Sequence, residues 1–220
     1  MKLSSFLQAA AIFRKDFLVG LRRRAAFAAM AMFALTTIAS LSLALGGAFV
    51  EPKLLAALLW VVIFFAASAG ISGTFEDEAA AGTLSTLKLY AARQAILFGK
   101  MFFTLASLGA LTIFLLPVFL ILFDAEIARL GIFSATVLLG LVGISAAGTL
   151  TAALTVSASA KGGLFPILLF PVTLPIFLPA ISLTEAAFTG AEFSAEFLAA
   201  MIFYDAILVT AASILFDFLD

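Results

Sequence analysis

Three consecutive carboxylates, Glu76, Asp77 and Glu78, open the longest polar stretch of this chain, FEDEAAAGTLSTLKLYAARQAILFGK, residues 75–100. Carboxylates in this position favour the positive end of a following helix or pair with cations on a partner. For catalysis they lack company. The chain contains no His and no Cys, which removes the commonest general base, the commonest metal and haem ligand, and every thiolate site or disulfide. Gly99-Lys100 resembles the end of a phosphate-binding loop, but Met101 follows where Ser or Thr belongs. The first glycine of that motif is missing as well, because position 94 is Gln. No dinucleotide fingerprint and no zinc-ligand spacing occurs. Asp, Glu, Lys and Ser remain, and nothing groups them on one face. Enzymatic chemistry and a metal site are therefore not expected, and any work done by this protein draws on an ion gradient or a separate subunit. One further acid stands apart: Asp205, beside Tyr204, lies within an apolar run. A carboxylate inside a membrane is costly unless it faces the bundle interior or is protonated, which marks it for function or for a packing hydrogen bond.

The elements that must position these residues are read from hydropathy. Of 220 residues, 65% are hydrophobic and 11% charged, with 25 Phe, against the 45–50% apolar and about 25% charged of soluble domains. The apolar runs exceed the roughly 20 residues that cross a bilayer and lack the alternation of a barrel strand. The fold class is all-α integral membrane, a single transmembrane domain over 1–220. Six spans are predicted at about 25–47, 54–74, 99–123, 130–156, 164–184 and 196–217. Residues 1–24 carry Lys2, Arg14, Lys15, Arg22, Arg23 and Arg24; the second loop adds Lys88, Arg93 and Lys100, and the fourth Lys161. These are 10 of the 12 cations, so positive-inside asymmetry predicts cytoplasmic N- and C-termini. The first span is too long for a signal-peptide core and is expected to be retained.

Before the first span, Phe6, Ala10, Phe13, Phe17 and Leu21 form one helical stripe, and Ser5 with Gln8 fits a capping box. An amphipathic interfacial helix is predicted over 1–24. In the polar loop, 75–98, Thr83 is expected to cap a short helix whose apolar stripe is Leu84, Leu87 and Ala91, with Lys88 and Arg93 on other sides. Gly143, Ala147, Thr151 and Thr155 recur every four residues, a ladder for close helix approach within the chain or between two copies. Pro171, Pro175 and Pro179 repeat at the same interval, with Pro166 before them. They predict a kinked or broken fifth span that hinges or gates.

The order E-x-E-x-x-x-G-T-L-x-x-L from Glu76 to Leu87, followed by Gly99-Lys100, resembles the loop between the second and third spans of ABC-2-type exporter permeases. That likeness implies a coupling helix seated on an ATPase subunit, with Glu76, Asp77, Glu78, Gly82, Thr83, Leu84, Leu87 and Lys88 as its contacts. It also implies that the N-terminal helix is the connecting helix. The family often has Pro where this chain has Tyr90-Ala91-Ala92, which predicts a helix running past Tyr90.

Within that group, four stretches resemble the CcmB family of haem-exporter permeases: RRRAAFAAMAMFALTTIASLSLALG, LLWVVIFFAASAG, GTLTAALTVSASAKGGLFPILLFPVTLPIFLPAI and FYDAILVTAASILF. The resemblance implies a bacterial inner-membrane complex for cytochrome c biogenesis. Its partners would be a second copy of this chain, cytosolic ATPase subunits, a haem-handling membrane protein and a periplasmic haem chaperone, with no nucleic acid. ATP would bind the partner, haem would be a candidate substrate, and this chain would hold no cofactor. Met30, Met32, Met101, Met201, Tyr90 and Tyr204 are the only conceivable axial ligands, and packing explains such residues better. The competing expectations are an ABC-2 permease for a lipid, polymer or drug, and a non-transport scaffold or ion-coupled carrier.

Overall fold

The structure is a computed structural model that describes residues 5–22, 24–71, 73–157 and 164–218, with the side chains of 24–26, 73, 74, 76, 77, 84, 85 and 88 outside that description. The described residues form nine helices and no strand: α1 Ser5–Arg22, α2 Arg24–Leu45, α3 Pro52–Ile71, α4 Gly73–Ala80, α5 Thr83–Tyr90, α6 Arg93–Leu122, α7 Leu130–Ser157, α8 Leu164–Thr189 and α9 Ala195–Phe216. Six of them, α2, α3, α6, α7, α8 and α9, are long and apolar enough to cross a membrane, so the chain is a multi-pass membrane protein. With no water in the hydrocarbon core, each must satisfy its own backbone, which only a continuous helix does.

Helix α7 is the centre. It packs against α3, α6, α8 and α9, and against the short α4 at one end. Small residues allow this crowding: Gly140, Gly143, Ala146, Ala147 and Ala152 are all buried along it. Trp60 of α3, 1% exposed, lies on Gly140, where a methyl group would collide with its ring. The Trp60 indole N–H donates to Thr184 Oγ1 of α8 at 3.0 Å. Tyr204 of α9 donates its hydroxyl to the Val172 carbonyl of α8 at 2.7 Å.

Helix α6 starts at Arg93 rather than at 99. Its 30 residues extend about 45 Å, against roughly 30 Å of hydrocarbon. The surplus is long enough to hold Arg93 and Lys100, both near its start, outside the apolar layer. Helix α1 lies along this end of α6. The face it docks is Ala9, Ile12 and Asp16, while Phe6, Phe17 and Leu21 of the predicted stripe are exposed. Gly99 permits the contact: an added Cβ would sit 2.8 Å from Ile12 Cβ and 2.9 Å from the Ala9 carbonyl. Gln8, read from sequence as half of a capping box, accepts a hydrogen bond from the Ala92 N–H at 3.0 Å and so pins α1 to the start of α6.

Helix α8 is continuous through Pro171, Pro175 and Pro179, so of the expected kinked or broken span the break does not occur. Pro166 falls in its first turn, where the missing N–H costs nothing. Lys161 and the rest of the predicted fourth loop, 158–163, lie outside the described residues.

Candidate functional site

The polar loop folds as two short helices rather than one. α4 ends at Ala80 and α5 begins at Thr83. Gly82 between them has φ 66°, a left-handed conformation that glycine alone adopts without steric cost. Its N–H donates to the Ala79 carbonyl at 3.1 Å. Gly82, not Thr83, occupies the N-cap of α5, with no side-chain cap. The Thr83 hydroxyl instead donates back to the Glu78 carbonyl at 3.3 Å. The far end also differs from expectation. α5 stops at Tyr90, with Ala91 extended (φ −120°, ψ 149°) and Ala92 extended before α6. Without proline, the stop comes from the chain turning into α6. Leu87 is half-buried, and Leu89 and Tyr90 are each 83% exposed. The side chains of Glu76, Asp77, Leu84 and Lys88 lie outside the described residues.

Glu78 turns inward. It is ion-paired with Lys15 of α1, and its Oε2 lies 3.1 Å from Lys100 Nζ of α6. Asp16 completes the cluster, with Oδ1 3.0 Å from Lys15 Nζ and Oδ2 3.5 Å from Lys100 Nζ. The Lys100 ammonium, 1% exposed in its side chain, also stands over the Phe75 ring at 4.7 Å, a cation–π contact. Two cations and two carboxylates thus neutralise one another, with Lys100 buried and Lys15 at the water-exposed edge. Burial opposes ionisation of Glu78, yet Lys100 and the hydrogen bond from Lys15 outweigh it and hold the carboxyl below its ordinary range. Burial likewise works against the Lys15 ammonium, but the hydrogen bond to Glu78 and the charge of Asp16 raise it above the usual lysine value. Both shifts keep Glu78 and Lys15 charged across neutral pH.

This junction joins three elements distant in sequence. Glu78 belongs to α4, Lys15 and Asp16 to α1, Lys100 to α6. Phe75 adds a fourth contact, its ring 6.0 Å from that of Phe216 in α9, and Arg93 Nη1 donates to the Asp217 carbonyl just beyond α9. Sequence reasoning marked Glu78 but missed Asp16 and Lys100 as its companions. Their only local signal was charge at apolar-face positions of α1 and at the mouth of a span.

The intramembrane residues lie elsewhere. Asp205 is 5% exposed and neither carboxyl oxygen has a hydrogen-bond partner. Gly143 faces it, so that a methyl group there would strike Asp205 Oδ1. Gly143, Ala147, Thr151 and Thr155 are all buried inside the single chain, and the two threonine hydroxyls bond carbonyls of their own helix, at 2.7 and 2.8 Å. The ladder therefore serves intramolecular packing. Pro171 and Pro175 are exposed on α8, whereas Pro179 is buried. No group of three or more Asp or Glu able to hold a metal occurs among the described residues.

The model of a protein family described as CcmB protein matches residues 7–215. None of the curated proteins compared with the chain matches it.

Proposed function

Because the chain belongs to the CcmB protein family, we propose that it couples ATP hydrolysis by a separate subunit to haem export, or to release of a haem-loaded chaperone, with α4 and α5 as the segment the ATPase moves. The family is that of the membrane component of a haem-exporting ABC system, a permease subunit in cytochrome c biogenesis. One observation carries the finer reading: Glu78 fastens α4 at once to α1 and to α6. A push on the short helices would therefore reach the connecting helix and the third span together. The side of α5 left open carries Leu89 and Tyr90, and tyrosine is among the residue types enriched in interface hot spots.

The loading of ten cations onto the α1–α4–α5 end and the fourth loop supports a cytoplasmic placement of that end and an inner-membrane location. Two copies of the chain with two ATPase subunits, a haem-handling membrane partner and a periplasmic chaperone fit the family likeness. In this reading the prolines of α8 lend flexure, and Asp205 responds to rearrangement around α7. The absence of His leaves iron ligation to a partner, so this chain transmits motion rather than holding haem iron.

Leu89→Ala combined with Tyr90→Ala should reduce ATPase co-purification about tenfold or more, whereas Glu78→Gln should retain the ATPase and lower covalent haem–cytochrome c. Full ATPase retention by the double variant would sink the docking assignment.

A further inference from the structure

Asp205 stands at the middle of α9, with about 15 Å of helix on either side. So short a side chain reaches neither membrane surface. It is pressed between α7 and α8: a Cβ added to Gly143 would lie 2.4 Å from its Oδ1 and 2.5 Å from Cδ1 of Ile176. Asp205 is 5% exposed, and neither oxygen has a hydrogen-bond partner.

Among the described residues no cation meets this carboxyl. α7 has no ionisable side chain, and α8 has only Glu185. α9 itself adds Glu196 and Tyr204, whose hydroxyl donates to the Val172 carbonyl. α6 also packs on α9 and brings Arg93 and Lys100. Arg93 donates to the carbonyl of Asp217, about 18 Å along the chain from Asp205, and Lys100 is held by Asp16 and Glu78. A carboxylate buried alone is far costlier than its neutral acid, so such a group pairs with a cation, binds a metal or takes up a proton. The charges just named leave it no cation. A metal fits poorly as well: a hard cation takes about six or more oxygens, whereas Gly143 and Ile176 face this carboxyl, and no group of three acidic residues forms among the described residues. The proton remains.

We propose that Asp205 is a proton-binding site: the packed bundle holds its carboxyl as the neutral acid, and separation of α9 from α7 admits water and releases the proton. Opening and proton release are then one linked equilibrium, in which the packed state binds one proton more than the opened state. Raising the pH therefore favours opening. Gly143 makes the site possible, because only a residue without a side chain lets the carboxyl lie this close to α7. The proposal needs only the membrane placement of the chain and not the ATPase assignment.

Infrared difference spectroscopy of the full-length protein in lipid, wild type against Asp205→Asn, tests the site. At about pH 6, well above the roughly 3.9 of an ordinary aspartyl group, the difference should contain the C=O stretch of a protonated carboxyl. A carboxylate band in its place overturns the proposal. If the variant is not monodisperse, wild-type protein with its aspartates isotopically labelled at the carboxyl carbon decides. Asp16 is ion-paired, and the other aspartates belong to the polar loop, the turns or the C-terminus. A protonated-carboxyl band that moves with the label therefore supports Asp205, and the lack of one refutes it. The linkage has its own readout in thermal melts. Above neutral pH the folding equilibrium of the wild type should fall by up to about tenfold per pH unit, and Asp205→Asn, which has no proton to release, should lack that slope. Parallel alkaline limbs would refute the linkage.

Discussion

Lys100 shows how a residue's role depends on partners far along the chain. An ammonium 1% exposed would be untenable alone, yet Glu78, Asp16 and the Phe75 ring surround it. Removing one member of such a cluster strands the others, at a cost on the order of 2 kcal/mol. Its pH dependence follows from Glu78. A carboxyl held below its ordinary value of 4.5 stabilises the fold fully above that value and loses the contribution as pH falls through the depressed one. The melting temperature of the wild-type chain should therefore drop below pH 4.5 more steeply than that of Glu78→Gln, and parallel acid limbs would show that Glu78 adds nothing. Asp205 poses a different case. A methyl group at Gly143 collides with its carboxyl, so Gly143→Ala should destabilise by about 1–3 kcal/mol. In the Gly143→Ala, Asp205→Ala double variant much of that loss should return, and a thermal-melt double-mutant cycle with no coupling would refute the contact.

At the scale of elements, what was legible in the sequence had a local cause. Six spans follow from unbroken apolar runs, and a short helix from the Leu spacing after Gly82. The division into α4 and α5 was not legible, because α4 is eight residues long and too short to persist alone. Its anchor is the Glu78–Lys100 contact, a tertiary feature with no periodic trace. The same holds for α1. Its Phe stripe was plain, but its docked face includes Asp16, whose partner Lys100 lies 84 residues away. The break in α8 was over-read, since proline removes single donors while the surrounding turns hold the helix together. The turn at Gly82 gives the element-scale prediction. Pro cannot adopt φ 66° and lacks the N–H that bonds Ala79, so Gly82→Pro should detach α5 and abolish ATPase co-purification. Gly82→Ala, costing about 1–2 kcal/mol, should weaken it only partly. Unchanged co-purification with the proline variant would separate the turn from coupling.

For the molecule as a whole, the charge asymmetry and the geometry agree on one polar end, formed by α1, α4, α5 and the start of α6. The chain contains no Cys, so single substitutions such as Thr86→Cys and Glu126→Cys are without background. In right-side-out vesicles an impermeant maleimide should label Glu126→Cys and spare Thr86→Cys, and the reverse pattern would invert the proposed orientation. Within the bundle α7 touches most other spans, so displacement at the polar end need not stay there.

The only Trp of the chain sits where such displacement would be felt, against Gly140 of α7 with its indole N–H on Thr184 of α8. The protein thus carries its single indole fluorophore at the meeting point of α3, α7 and α8. Sliding of α8 would break its hydrogen bond and shift its emission, giving an optical readout of the working cycle with no label attached.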